Sequence, residues 1–432
     1  MGAAGDRRRA GAAAGPGRAA GVRRALRRRA RRAAGADAQA GRVPPPLPAA
    51  RGPPRADHAP AALGRLRLHR GPGPQADFYA VNEGGYTRLS ALDARTLRPV
   101  ELPAFPGADH VYAGEPTRSG RWVTLGVETP TAPRASAVLD TTTGKLTRWL
   151  MPSAPELDTR RFVAATLTTY PARDGTPIPA IVRRPPGCDT AATPCPVVVE
   201  FHGGPEGQAK PGFDPGAQLF LDEGFVLVEP NVRGSDGYGR AWLDADNGPR
   251  RLGVVTDIED AATWARQAFA RNGQAPKVGI YGGSYGGYSA LTGMTRFGGA
   301  YDAGVSVVGI ANLVTFLENT APYRRLLRVT EYGDPQQDRQ ALVELSPVTY
   351  VDRVKGPLLV LQGANDPRVP VGEAVQIHDA LAARGLPVEL VIYPDEGHGA
   401  GKRENQVHMI GKALLFFRAH LGPSPARGAP RP

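Results

Sequence analysis

The sequence predicts an α/β fold with a mostly parallel, doubly wound sheet, preceded by a small group of short strands. Three observations carry this. Apolar runs alternate with helical patterns over residues 156–422. One of them, Val278-Gly279-Ile280-Tyr281, passes straight into Gly-Gly-Ser-Tyr-Gly-Gly-Tyr at 282–288. Residues 75–155 instead hold brief strand-like runs separated by turn residues.

Taken in chain order, strands are expected at 77–81, 88–92, 122–127 and 137–139, with Ser119-Gly120 and Thr143-Gly144-Lys145 as turns. Further on, the β-rich 196–200 and 225–229 precede a helical pattern at 257–269. The strand at 278–281 then opens into a helix. The buried strand 357–361 and the strand-like 388–393 flank an amphipathic stretch marked by Ala374, Ile377 and Leu381. A last helix runs over 404–421, Pro423 closes the domain, and the tail 423–432 is expected to be disordered. The span 156–422 is long enough to bury a full layered core without help from disulfides.

The turn at 282–288 has the requirements of a nucleophile elbow. Ser284 sits between small residues, and any bulk at Gly282 or Gly286 would collide with the neighbouring strand and helix. With 54 glycines in 432 residues the motif alone is weak, and its place after a strand gives it weight.

A serine nucleophile needs a base, and the base needs an orienting carboxylate. In this class of fold they follow the serine in the order acid, then histidine. Of the histidines beyond Ser284, His378, His408 and His420 fall in helical patterns and read as helix-surface residues. His398 lies in the loop Asp395-Glu396-Gly397-His398-Gly399 and is the candidate base. Asp366, in the loop after strand 357–361, is the candidate orienting group, since catalytic groups collect beyond the carboxyl ends of such strands. An Asp-Pro pair is also ordinary turn chemistry, and Asp395 competes from the histidine's own loop.

Phe201-His202-Gly203-Gly204-Pro205, after the strand at 196–200, suits an oxyanion hole, because glycines let backbone N–H groups approach a developing negative charge. The expected donors are the N–H groups of Gly204 and Tyr285. His202 precedes the serine and is expected to shape this loop.

His-Gly-Gly-Pro (202–205), Asn-Val-Arg-Gly-Ser-Asp-Gly-Tyr-Gly (231–239), the elbow, Asn-Asp-Pro-Arg-Val (365–369) and Glu-Gly-His-Gly (396–399) occur in one order. Together they resemble the catalytic domain of the prolyl oligopeptidase family of serine peptidases, near its acylaminoacyl-peptidase and dipeptidyl-aminopeptidase branches. The resemblance implies an α/β-hydrolase catalytic domain at 156–422 and a triad of Ser284, Asp366 and His398. It also implies a peptide substrate. By the same resemblance Arg368 holds a substrate carbonyl, and Tyr285, Tyr288, Ile310, Phe316 and Val369 line an apolar S1 pocket. Ordinary core packing is the equal alternative for Ile310, Phe316 and Val369. Arg233 either pairs internally or contacts substrate, the former being favoured.

In this family a β-propeller accompanies the hydrolase. Residues 75–155 supply material for about two blades, an incomplete propeller fragment with unpaired edges. The dipeptidyl branch binds the substrate amine through acidic propeller residues, and no equivalent is found here.

Upstream, residues 1–70 hold 17 Arg, three Asp and neither Lys nor Glu, a charge of +14 that leaves −2 for the rest. A nucleic-acid-binding basic arm is one reading and a low-complexity disordered segment another. The favoured reading of 1–74 is GC-rich coding sequence translated from a wrong start or out of frame.

No run of eighteen apolar residues predicts a membrane span, and no signal-peptide pattern stands at the N-terminus. Cys188 and Cys195 bracket a short loop and suit either a disulfide, with an oxidising compartment, or two thiols. The sequence therefore leaves a cytoplasmic and a periplasmic or secreted location both open. No zinc spacing, phosphate loop or dinucleotide fingerprint is found, so neither a metal nor a cofactor is expected. The expected activity is peptide hydrolysis through an acyl-enzyme. Two alternatives stand beside it: an esterase of the dienelactone-hydrolase type, and an inactive truncated product with a basic nucleic-acid-binding arm.

Overall fold

The computed structural model describes residues 62–65 and 76–422; the Arg-rich segment and the C-terminal tail lie outside these apart from strand 62–65. Two compact units are distinguished. Of the smaller, the described part is Ser153–Arg161, a turn and a 3-10 segment with Arg160 paired to Asp158 at 2.8 Å. The larger unit holds both sheets.

Its first sheet contains β1 (Ala62–Arg65), β2 (Ala76–Glu83), β3 (Tyr86–Asp93), β4 (Pro99–Val100), β5 (His110–Pro116), β6 (Trp122–Thr129), β7 (Ala132–Asp140) and β8 (Leu146–Leu150). Pairing is antiparallel except between β3 and β5, which meet through the one parallel pair Thr87 and His110. The sheet is thus two four-stranded meanders joined at a narrow seam. Alternate residues Val123, Leu125, Ala137 and Leu139 point to one face, where they pack with Phe78 and Ala91. Strand β5 was not expected, because Gly114 and Pro116 interrupt its pattern.

The second sheet has the order β16-β15-β14-β13-β11-β12-β10-β9. Strands β9 (Thr166–Pro171) and β10 (Pro177–Arg183) are antiparallel additions at one edge. The other six, β11 (Val197–Phe201), β12 (Val226–Pro230), β13 (Val278–Gly283), β14 (Ala303–Val307), β15 (Leu358–Gly363) and β16 (Val388–Tyr393), run parallel. Being covered on both faces, they read as continuous apolar runs. The period of two nevertheless sorts them. Val197, Val199, Leu358 and Val360 face one core, while Val198, Leu359 and Leu361 face the other.

Helices α1 (Pro215–Asp222) and α8 (Arg403–Leu421) cover the second core through Phe220, Leu221, Met409 and Phe417. The first is covered by α2 (Asp257–Ala268), α3 (Tyr285–Met294) and α7 (Val371–Ala382). Three further helices, α4 (Leu313–Asn319), α5 (Pro322–Tyr332) and α6 (Arg339–Leu345), lie in the excursion after β14. This is the three-layer arrangement that the alternating pattern predicts. Cys188 and Cys195 are joined by a disulfide, with Cα atoms 5.7 Å apart.

Candidate active site

Parallel strands bring their carboxyl ends to one edge of the sheet, and each candidate residue follows one of them. Ser284 follows β13, Asp366 follows β15 and His398 follows β16. Ser284 has φ 59° and ψ −114°, a left-handed backbone that a non-glycine residue adopts only under constraint. Its N–H donates to the Val307 carbonyl at 2.9 Å, pinning the turn to β14. The small neighbours are required by space. A Cβ on Gly286 would lie 1.9 Å from the Phe201 carbonyl oxygen, and one on Gly282 would lie 2.5 Å from the Gly286 backbone.

His398 and Asp366 are brought together, with Nδ1 of the histidine 2.7 Å from Oδ2 of the carboxylate. The other carboxylate oxygen accepts the N–H groups of Arg368 at 2.8 Å and Val369 at 3.0 Å. Asp366 is 7% exposed, so its orientation is fixed from both sides. Such an arrangement holds an imidazole in one tautomer with Nε2 free to take a proton. Asp395 is occupied elsewhere. It pairs with Lys402 at 2.5 Å and accepts from Asn405, and these bonds hold its carboxyl below the usual range. The other three histidines beyond Ser284 lie on helices, with His378 beside Asp379 and His408 beside the Tyr393 hydroxyl.

Gly203 lies directly against the elbow, where a Cβ would meet Ser284 Cβ at 3.6 Å. Gly204 follows it, and Tyr285 occupies the first position of α3, where an N–H has no partner four residues back in the helix. His202 is wedged between the Gly203 carbonyl and the Ser235 hydroxyl, each 2.8 Å away, and burial pushes its pKa down. It therefore braces the glycine loop.

Tyr288, Ile310, Phe316 and Val369 are all buried in the core cluster that also contains Tyr285 and Tyr332. Tyr285 stacks on Tyr288 with centroids 5.3 Å apart, and Phe316 meets Tyr332 edge-on at 5.5 Å. Tyr288 also donates its hydroxyl to the Leu345 carbonyl at 3.0 Å. Arg368 is exposed, two positions after Asp366 in the same loop. Arg233 pairs internally, with Asp257 and Asp174.

Sequence reasoning misses the charges around this cluster. Arg251, fully buried, pairs with Asp246 at 2.9 Å and Glu331 at 2.6 Å. Its guanidinium lies over the Tyr332 ring at 4.5 Å, and Tyr285 donates its hydroxyl to Asp246 at 3.2 Å. Burial pushes Glu331 up to about 7 against the pull of Arg251. Arg328, on α5, places Nη1 3.5 Å from the Gly204 carbonyl.

This geometry has known relatives. Residues 211–424 match the model of the prolyl oligopeptidase family. Residues 211–424 are a prolyl oligopeptidase family domain. The chain is 37% identical over 279 residues to dipeptidyl aminopeptidase BIII of Pseudoxanthomonas mexicana, a match covering 62% of this chain and 40% of that protein. It is 28% identical over 245 residues to the human acylamino-acid-releasing enzyme, covering 55% and 33% respectively. A puromycin-hydrolyzing peptidase of Mycobacterium tuberculosis superposes with a TM-score of 0.70 at 28% identity, over 80% of this chain and 52% of that one. The chain thus spans about half the length of its structural relative and less of the two sequence relatives. Its larger unit is an α/β-hydrolase domain preceded by part of a β-propeller.

Proposed function

We propose that this chain is a serine peptidase that hydrolyses short peptides or acyl-peptides through an acyl-enzyme. The observation that carries the reading is the 2.7 Å contact between His398 and Asp366, at the same strand-end edge of the sheet as the elbow of Ser284. Ser284 Oγ attacks the substrate carbonyl while His398 Nε2 takes its proton. Asp366 orients the imidazole and stabilises the imidazolium as it forms. The N–H groups of Gly204 and Tyr285 receive the oxyanion. The proton then passes to the leaving amine, the C–N bond breaks, and a water activated by the same histidine hydrolyses the ester. Arg368 holds a substrate carbonyl, and the aromatic cluster around Tyr288 and Phe316 receives the P1 side chain. The propeller fragment spans 75–155, and the catalytic domain 156–422.

The test is labelling by a fluorophosphonate probe, followed by turnover of aminoacyl and acyl-peptide anilides and matched esters. Ser284→Ala is expected to abolish labelling, and losing Ser284 or His398 to cost about 10⁴–10⁶-fold in turnover. A soluble native chain that is not labelled would refute the reading. Turnover of esters with no cleavage of any amide would replace it with an esterase.

A further inference from the structure

We propose that Arg324, Arg328 and Arg368 form a carboxylate-binding rim at the mouth of the site. The substrates favoured would then carry a carboxylate next to the scissile bond. This inference rests on the site proposed above and names its substrate class.

The rim is assembled by α5. The helix is anchored beside the triad loop, since Thr320 donates its hydroxyl to the Arg368 carbonyl at 3.0 Å and the Ala321 N–H reaches the Pro367 carbonyl at 3.3 Å. Arg324 and Arg328 are one turn apart and so share a face of the helix. Arg328 lies between the glycine loop and the aromatic cluster. Its Nη1 is 3.5 Å from the Gly204 carbonyl, and its guanidinium carbon is 5.8 Å from both the Phe316 and the Tyr332 ring centroids. The Nε atoms of Arg324 and Arg328 are buried without a hydrogen-bond partner.

The local charges leave these cations unanswered. Among the described residues, no carboxylate lies within 4.0 Å of Arg324, Arg328 or Arg368. Glu331 is taken by Arg251 at 2.6 Å, and Glu318 by Arg339 at 3.5 Å. Glu206 is exposed on the glycine loop and acts on Glu331. Guanidinium groups with free donors at a half-buried site match a planar carboxylate in geometry as well as charge. That carboxylate could be an acidic P1 side chain or the free C-terminus of a short leaving peptide.

The experiment uses the full chain. Binding of fluorescent peptides to Ser284→Ala is compared across Asp and Asn at P1, and across a free-acid and an amidated leaving end. The comparison is then repeated with Arg328→Gln and Arg324→Gln added. We expect the carboxylate peptide to bind about 10-fold tighter than its neutral partner. That advantage should collapse in the arginine variants and shrink as salt is raised. An advantage confined to Asp at P1 assigns the P1 source, and one confined to the free acid assigns the leaving end. Equal binding of acidic and neutral partners, or an equal loss of both in the variants, overturns the proposal. Probe labelling of the parent chain is a separate readout, so failure of the rim is distinct from failure of the peptidase reading.

Discussion

Asn82 and Gln208 lie 126 positions apart in sequence, and the asparagine amide donates to the glutamine carbonyl at 2.7 Å. The bond joins the first sheet to the loop that begins at Gly203 and Gly204. Two more grips follow along the same loop. His110 Nε2 is 2.6 Å from the Pro211 carbonyl, and Glu128 accepts the Phe213 N–H at 3.3 Å. The strands before the hydrolase therefore hold the far end of the segment whose near end carries Gly204.

From this we expect Asn82→Ala and His110→Ala to lower kcat by about 10-fold with little change in KM, since small displacements of a charge-stabilising group cost rate more than binding. Steady-state kinetics and probe-labelling rates check this. A fall in thermal stability with unchanged kcat would make the grip purely structural.

The elbow offers a steric test. Gly286→Ala is expected to abolish probe labelling, because its Cβ would lie 1.9 Å from the Phe201 carbonyl oxygen. Gly372→Ala, within α7, meets nothing within 4 Å and should stabilise by roughly 0.5–1 kcal/mol. Circular dichroism and labelling of the pair separate a local clash from a general intolerance of alanine.

Glu373 predicts a pH dependence. Its carboxylate accepts the Ala311 and Asn312 N–H groups and the Thr315 hydroxyl, yet burial pushes its pKa from an ordinary 4.5 up to about 7. The folded state thus holds the proton more tightly than the unfolded one. Its contribution to stability is complete below pH 4.5 and is lost as pH rises through 7. The melting temperature of the native chain relative to Glu373→Gln should therefore fall between about pH 4.5 and pH 7. A constant difference across that range would refute it.

The disulfide closes a loop only 7 residues in sequence separation. Even so, restricting the unfolded chain there is worth about 2–3 kcal/mol. Cys188→Ser with Cys195→Ser should lower the denaturation midpoint accordingly, and peptide mapping without reductant checks the linkage.

Much of the site is legible in the sequence because its chemistry demands rare combinations. A serine among glycines after a strand, and a histidine between glycines, stand out from helical periodicity. Asp366 can be told from Asp395 because it follows a different strand, and its Oδ2 lies 2.7 Å from His398 Nδ1. Strand β5 is hidden by Gly114 and Pro116. Arg251 and Arg328 are hidden for another reason. A buried arginine over a tyrosine is written with the same letter as a solvated one, and helical spacing does not reveal which face meets the site.

The backbone of Ser284, held at φ 59°, has a consequence for anyone engineering this chain. Glycine would relax that turn, so selection for heat tolerance alone rewards Ser284→Gly and discards the candidate nucleophile. A library sorted on melting behaviour would drift towards a sturdier, inert molecule unless each round also demanded turnover.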